Sequence, residues 1–203
     1  IEFADKSIAL DPSSAKGYFA KGLLSFVIKD WTSMYKYLSN AVDMAPNDIE
    51  ILSNAGLVTV TGGECTLDEF REDIEENPKQ DLGSCRWKSG WKNLMRAYEM
   101  DKGNLYPVKN YGIAHMYNLR GDYEKAYHHM QLAISQGYFW YEVHSAIAAS
   151  GLEDDKLAQK HCDAVMKIVN SNKLNDVKAH FARWHVLQYW DLTEPFFSKY
   201  GFE

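Results

Sequence analysis

The sequence predicts an all-α fold, an α-α superhelix of about ten to twelve helices with an irregular middle unit, and three observations predict it. Ser7-Ile8-Ala9-Leu10-Asp11-Pro12 and Ala41-Val42-Asp43-Met44-Ala45-Pro46 are nearly the same phrase, and their prolines stand 34 residues apart. Gly22 and Gly56 repeat that spacing of 34. Further on, Ala97 and Ala133 are 36 apart and Ala126 and Ala158 are 32 apart, so the period survives small insertions and deletions. Self-similarity at this interval marks stacked helical hairpins, each too thin to bury its own apolar face.

The elements follow in order. Phe3 to Leu10 reads as the second helix of a hairpin, stopped by Asp11-Pro12 because proline cannot continue a helix and disfavours helical geometry just before itself. Ser13 or Ser14 caps a first helix from Ala15 to Ile28. Its partner runs from Trp31 to Met44 with Met34, Leu38 and Ala41 on one face. Asn47-Asp48 caps Ile49 to Val60, where Leu52, Ala55, Gly56 and Thr59 face inward and Thr61-Gly62-Gly63 ends the helix. Here the period breaks, since the next equivalent glycine, Gly112, lies 56 residues on. The interval holds a capping box, Thr66-Leu67-Asp68-Glu69, opening a short acidic helix that Pro78 closes. A helix from Ser84 to Met100 follows, with Trp87, Trp91, Leu94 and Ala97 on one side.

Regularity then returns. Val108, Tyr111, Gly112 and His115 form a first-helix face, Gly121-Asp122-Tyr123 turns the chain, and Ala126, Met130 and Ala133 form the second-helix face. Another hairpin spans Tyr138 to Ser150 and Asp154 to Asn170. Val177 to Trp190 and a short helix from Thr193 to Lys199, capped by Asp191 with Pro195 early in it, finish the chain. All of 1–203 is expected as one repeat domain, with 64–90 as an irregular insertion. Because Ile1 begins inside a repeat phrase, the expectation is a segment of a longer chain.

With 46% hydrophobic and 14% aromatic residues, the chain can build a large core. A net charge of −6 argues against general affinity for nucleic acid or anionic membranes, and no apolar run approaches the ~20 residues of a membrane span. Neither direct nucleic-acid contact nor membrane insertion is therefore expected of this segment. Cys65, Cys85 and Cys162 lack zinc spacing, and a Cys65–Cys85 bridge or unpaired thiols both fit. Seven histidines do not converge on a metal: His128 and His129 are adjacent, and His180 and His185 are five apart, outside the i, i+4 register of a helical pair. His161-Cys162 has no partner pair nearby. No GxSxG, Gly-rich phosphate loop or HExxH occurs, so an enzyme is not expected, nor is any cofactor. The acidic run Asp68 to Glu76 lacks the ligand spacing of a calcium loop.

Gly121-Asp122-Tyr123-Glu124-Lys125-Ala126 resembles the turn and second-helix start of a tetratricopeptide repeat, and Tyr18 to Pro46 and Val108 to Ala133 are similar to its full pattern. Tyr18, Leu52 and Val108 stand where that family has tryptophan, Lys21 stands where it has leucine, and Glu64 to Gly90 falls outside the likeness. A narrower resemblance rests on Leu10-Asp11-Pro12, Asp30-Trp31 and the ending Glu194-Pro195-Phe196-Phe197, then Gly201-Phe202-Glu203. It is to the C-terminal repeat regions of bacterial winged-helix transcription regulators and adenylate cyclase homologues. These likenesses imply a non-enzymatic module that binds a protein or peptide, as the regulatory or sensing part of a bacterial transcription regulator. They imply a cytoplasmic setting, or a periplasmic one if a transmembrane span precedes the segment. A small-molecule pocket lined by Trp87, Trp91 and Tyr117, or a homodimerisation surface, is the alternative.

In the tetratricopeptide family, asparagines on first helices hold a bound peptide backbone. Asn54 before Ala55-Gly56 and Asn110 before Tyr111-Gly112 match that position, and Ala20 leaves it empty in the first repeat. An amide offers donor and acceptor together, which suits an extended peptide of any sequence; packing between helices is the competing role. Phe19, Leu23, Phe26 and Val27 would form an apolar groove wall, continued by Leu57, Ile113, Met116 and Tyr117, with Lys109 its basic residue.

Overall fold

The computed structural model describes residues 2–62, 87–133, 138–169, 174–183 and 190–198. Every regular element among them is helical: α1 Glu2–Leu10, α2 Ala15–Val27, α3 Trp31–Met44, α4 Ile49–Thr61, α5 Trp87–Met100, α6 Lys109–Leu119, α7 Tyr123–Leu132, α8 Phe139–Gly151, α9 Asp155–Ile168, α10 Leu174–Arg183 and α11 Trp190–Phe197. The chain is all-α, and its helices pack against their sequence neighbours, the order of a helical-repeat superhelix. It divides into two compact units, 1–112 and 113–203, the division falling within α6.

The hairpin turns follow one local design. Lys29, Gly121 and Glu153 adopt positive φ of 61°, 73° and 60°, and an aspartate follows each of them. Asp30 N–H donates to Ser25 O, Asp122 N–H to Tyr117 O and Asp154 N–H to Ala149 O, closing the preceding helix with a left-handed residue. The same aspartates open the next helix by accepting the N–H of Ser33, Lys125 and Leu157. One residue pair thus ends α2, α6 and α8 and starts α3, α7 and α9. The Gly-Asp turn expected at 121–122 is the most legible of the three. Asp48 caps α4 through Ile51 N–H, whereas Ser14 stands at the start of α2 without a side-chain bond. Ser13 instead donates from both N–H and hydroxyl to Asp11.

Within 1–112, α2 pairs with α3, and α4 pairs with α5. A Cβ on Gly22 would come 2.6 Å from Leu38 Cδ2, and one on Gly56 2.7 Å from Leu94 Cγ, so each glycine admits the leucine of its partner helix. That equivalence explains the broken period. Gly22 and Leu38 are 16 apart and Gly56 and Leu94 are 38 apart, whereas Ala41 to Gly56 and Ala97 to Gly112 are both 15. The additional residues therefore fall between the two helices of one hairpin, and α5 is the second helix of that hairpin. Of the segment expected as an insertion, 87–90 form the first turn of α5, and the rest lies outside the described residues, as do the capping box, the acidic helix, Cys65 and Cys85. Trp87, Gly90, Leu94 and Ala97 form the buried face of α5, with Trp91 half-buried beside it.

In 113–203, α8 is the central helix, packed on α7, α9 and α11 and buried along Tyr141 to Ala149. A helix covered on all sides carries small and apolar residues around its whole circumference, here Val143, Ala146, Ile147, Ala148 and Ala149. At the end, α10 is described over Leu174–Arg183 and α11 over Trp190–Phe197, and 184–189 lie outside the described residues; Asp191, expected as a cap, lies in the first turn of α11, and Pro195 lies inside it. Trp190 and Phe197 stack at 5.7 Å and 5°, fixing α11 by ring packing seven residues apart.

Candidate functional site

The exposed faces of the first helices were the expected site, and burial sorts the expected residues into three groups. Phe19, Leu23 and Phe26 lie at i, i+4 and i+7 on α2, half-buried against Met34, Tyr35, Leu38, Ala55 and Val58. Phe26 also meets Trp31 edge-on at 6.0 Å and 62°. They form the seam joining α2 to α3 and α4 and are not a free groove wall. A stripe at that spacing is the face a helix turns toward its neighbours.

Lys109, Asn110 and Ile113 are corrected more sharply, because each is fully buried. Lys109 Nζ donates to Asp101 Oδ2 at 2.8 Å, Asn104 Oδ1 at 2.9 Å and Tyr106 O at 3.0 Å, which uses all three of its protons. Asp101 also accepts from the N–H groups of Leu105 and Tyr106, both at 2.8 Å. Burial disfavours the charged form of Asp101, but Lys109 and the two N–H donors outweigh it and hold the carboxyl below its usual range. Asn110 Nδ2 donates to Asn104 Oδ1 at 3.0 Å, so its amide belongs to the same knot in the turn before α6. The knot organises residues 101–110 and presents no cation to solvent. Met116, expected beside Ile113, is also fully buried.

The third group is accessible. Asn54 and Leu57 are half-buried on α4, in a solvent-facing row with Glu50 and Thr61. Asn54 Nδ2 donates to Glu50 O of its own helix at 2.9 Å, leaving its second N–H and its Oδ1 uncommitted. The matching row on α2, 34 residues earlier, is Lys16, Ala20, Leu23 and Val27; Leu23 is half-buried and the other three are exposed, Val27 to 74%, with exposed Leu24 beside them. Leu24 and Ile28 were missed. Their signal was the run Leu23-Leu24-Ser25-Phe26-Val27-Ile28, which holds more apolar residues than one packing face can use. Tyr117 is half-buried, stacked on His129 at 5.5 Å and 21°, with Lys125 Nζ 5.4 Å from its ring centre.

The polar core of 113–203 was not anticipated. His161 Nδ1 lies 2.6 Å from Glu142 Oε2, both almost fully buried between α8 and α9. Tyr127 and Tyr141 set their rings edge-on to His161 at 6.1 and 5.9 Å. His115 and His144 meet edge-on at 5.4 Å, and Asn118 Nδ2 donates to His144 O. Burial, with His115 adding to it, pushes His144 well below the usual histidine range. Among the described residues no group of three or more His, Cys, Asp or Glu side chains could hold a metal, and no helix is long and apolar enough to cross a membrane. Cys162 is buried and takes part in no disulfide.

One cleft of about 470 Å³ opens within 1–112, between α3 and α5 and above α4. None of Trp87, Trp91 and Tyr117, the residues expected to line a pocket, contributes to it. No known protein-family model matches the chain, and no curated protein matches it either.

Proposed function

We propose that this chain is a non-enzymatic, tetratricopeptide-like binding module that takes an extended peptide segment along the outward rows of its first helices. The observation that carries the reading is the pair of equivalent rows, one apolar and one bearing an amide. Leu24 and Val27 on α2 supply exposed apolar anchors, and Asn54 on α4 supplies a donor and an acceptor beside Leu57. Exposed apolar side chains in a row mark partner sites more often than scattered ones do, and the amide suits a main chain of any sequence. Asn110 contributes nothing to this contact, so the ladder is one asparagine long. The sequence phrases Leu10-Asp11-Pro12 and Asp30-Trp31 support placing the module in the regulatory part of a bacterial transcription regulator.

A displayed library of random linear peptides selected on the immobilised chain tests the proposal. Selected peptides lose about tenfold in affinity for Asn54→Ala, as two lost hydrogen bonds of roughly 0.5–1.5 kcal/mol imply, and more for Val27→Asp, with unfolding midpoints unchanged. Selection of no peptide, or peptides indifferent to both variants, refutes it.

A further inference from the structure

We propose that the cleft between α3 and α5 is a second binding site, separate from the first-helix rows, for a small dipolar ligand of the size of a two- or three-residue peptide. Its volume of about 470 Å³ is that of small-molecule sites, which run about 300–1,000 Å³. The walls carry opposite charge. Asp43 projects from α3, and Lys92 and Arg96, four residues apart and so on one face of α5, stand on the other side. Asp43 and Lys92 line one cleft without pairing across it, and neither takes part in an ion pair within the described residues. Arg96 donates through Nη2 to Asn47 Oδ1 at 2.8 Å, which fixes the guanidinium at the end of the cleft and leaves four N–H donors.

The floor supplies the second, independent observation. Thr59 of α4 is only 6% exposed, lines the cleft, and its hydroxyl makes no hydrogen bond among the described residues. The hydroxyl of Thr61, two residues on, instead donates to Leu57 O at 2.8 Å. A hydroxyl on the cleft floor that is not committed to the protein can hydrogen-bond a ligand carbonyl or carboxylate. Leu38 and Val42 complete an apolar floor beside it. A carboxylate at Lys92 and Arg96, an ammonium at Asp43 and an apolar body over Leu38 and Val42 together describe a zwitterionic peptide. A purely anionic ligand would leave Asp43 opposing it.

Titration calorimetry of the chain with L-leucyl-L-leucine, its N-acetyl form and its C-terminal amide tests this. The free dipeptide binds, and each capped form binds at least tenfold more weakly. Asp43→Asn weakens the dipeptide but not the N-acetyl form, and Lys92→Met weakens the dipeptide but not the amide. Thr59→Val weakens the dipeptide without lowering the unfolding midpoint, which separates a ligand role from a structural one. Asn54→Ala leaves all three unaffected, so this site and the peptide row stand or fall separately. Equal binding of the capped forms, binding insensitive to Asp43→Asn and Lys92→Met, or no heat at millimolar dipeptide overturns the proposal.

Discussion

Replacing Lys109 by methionine keeps the length and apolar stem of the side chain and removes only its charge and three donors. Asp101 would then remain almost fully buried, holding just the N–H groups of Leu105 and Tyr106. Removing one partner of a buried pair costs about 3–5 kcal/mol, because the other charge is left uncompensated. An independent bound agrees. The orphaned carboxyl can take up a proton at pH 7, and from an ordinary value near 3.8 that costs roughly 4 kcal/mol at ~1.4 kcal/mol per unit. Near 2–4 °C per kcal/mol for a chain of this size, the melting point falls by about 6–16 °C. Urea unfolding followed by helical circular dichroism measures the change directly. The sign with pH is a second check. The folded-state value of Asp101 is depressed, so its contribution is complete above about 3.8 and is lost as pH falls through the lower folded value. The gap between the two proteins therefore narrows toward pH 4, where the variant no longer holds an uncompensated charge. A loss below about 0.5 kcal/mol at pH 7, the range of ordinary surface substitutions, would refute the buried role of Lys109.

Two further expectations concern packing and protons. A Cβ at position 56 would lie 2.7 Å from Leu94 Cγ and 3.0 Å from Gly90 O, so Gly56→Ala overpacks the α4–α5 seam by about 1–3 kcal/mol, exceeding the ~1 kcal/mol helical gain. Gly103→Ala, with nothing nearer than 3.8 Å, is neutral or stabilising by about 0.4–1 kcal/mol; thermal melts of both would show no contrast if the glycine seam were unimportant. His144 is held neutral in the folded state, which therefore binds fewer protons than the unfolded chain. Stability is full above about 6.5 and declines as pH falls below it, by up to ~1.4 kcal/mol per unit; urea midpoints that stay flat from pH 6.5 to 5 would contradict this.

The sequence by itself determined the helices, their turns and their order, because these rest on bonds among residues a few positions apart. Asp48 and Asp122 cap helices through their own neighbours, and Gly121 supplies a left-handed residue wherever its hairpin lies. The spacing of Gly22 and Gly56 was readable as a repeat, but its purpose is tertiary: each glycine admits a leucine from the partner helix of its hairpin. Which side of a helix meets solvent was decided only by tertiary structure. Lys109 and Asn110 sit at positions that read as exposed, yet both are enclosed by packing that no single helix specifies. Asn54, with the same local pattern as Asn110, remains open. The pairing of α4 with α5 and the charges facing each other across the cleft have the same origin. Local hydrogen bonding chooses a helix wherever it stands, but burial, and with it the meaning of each polar side chain, depends on what arrives from elsewhere in the chain.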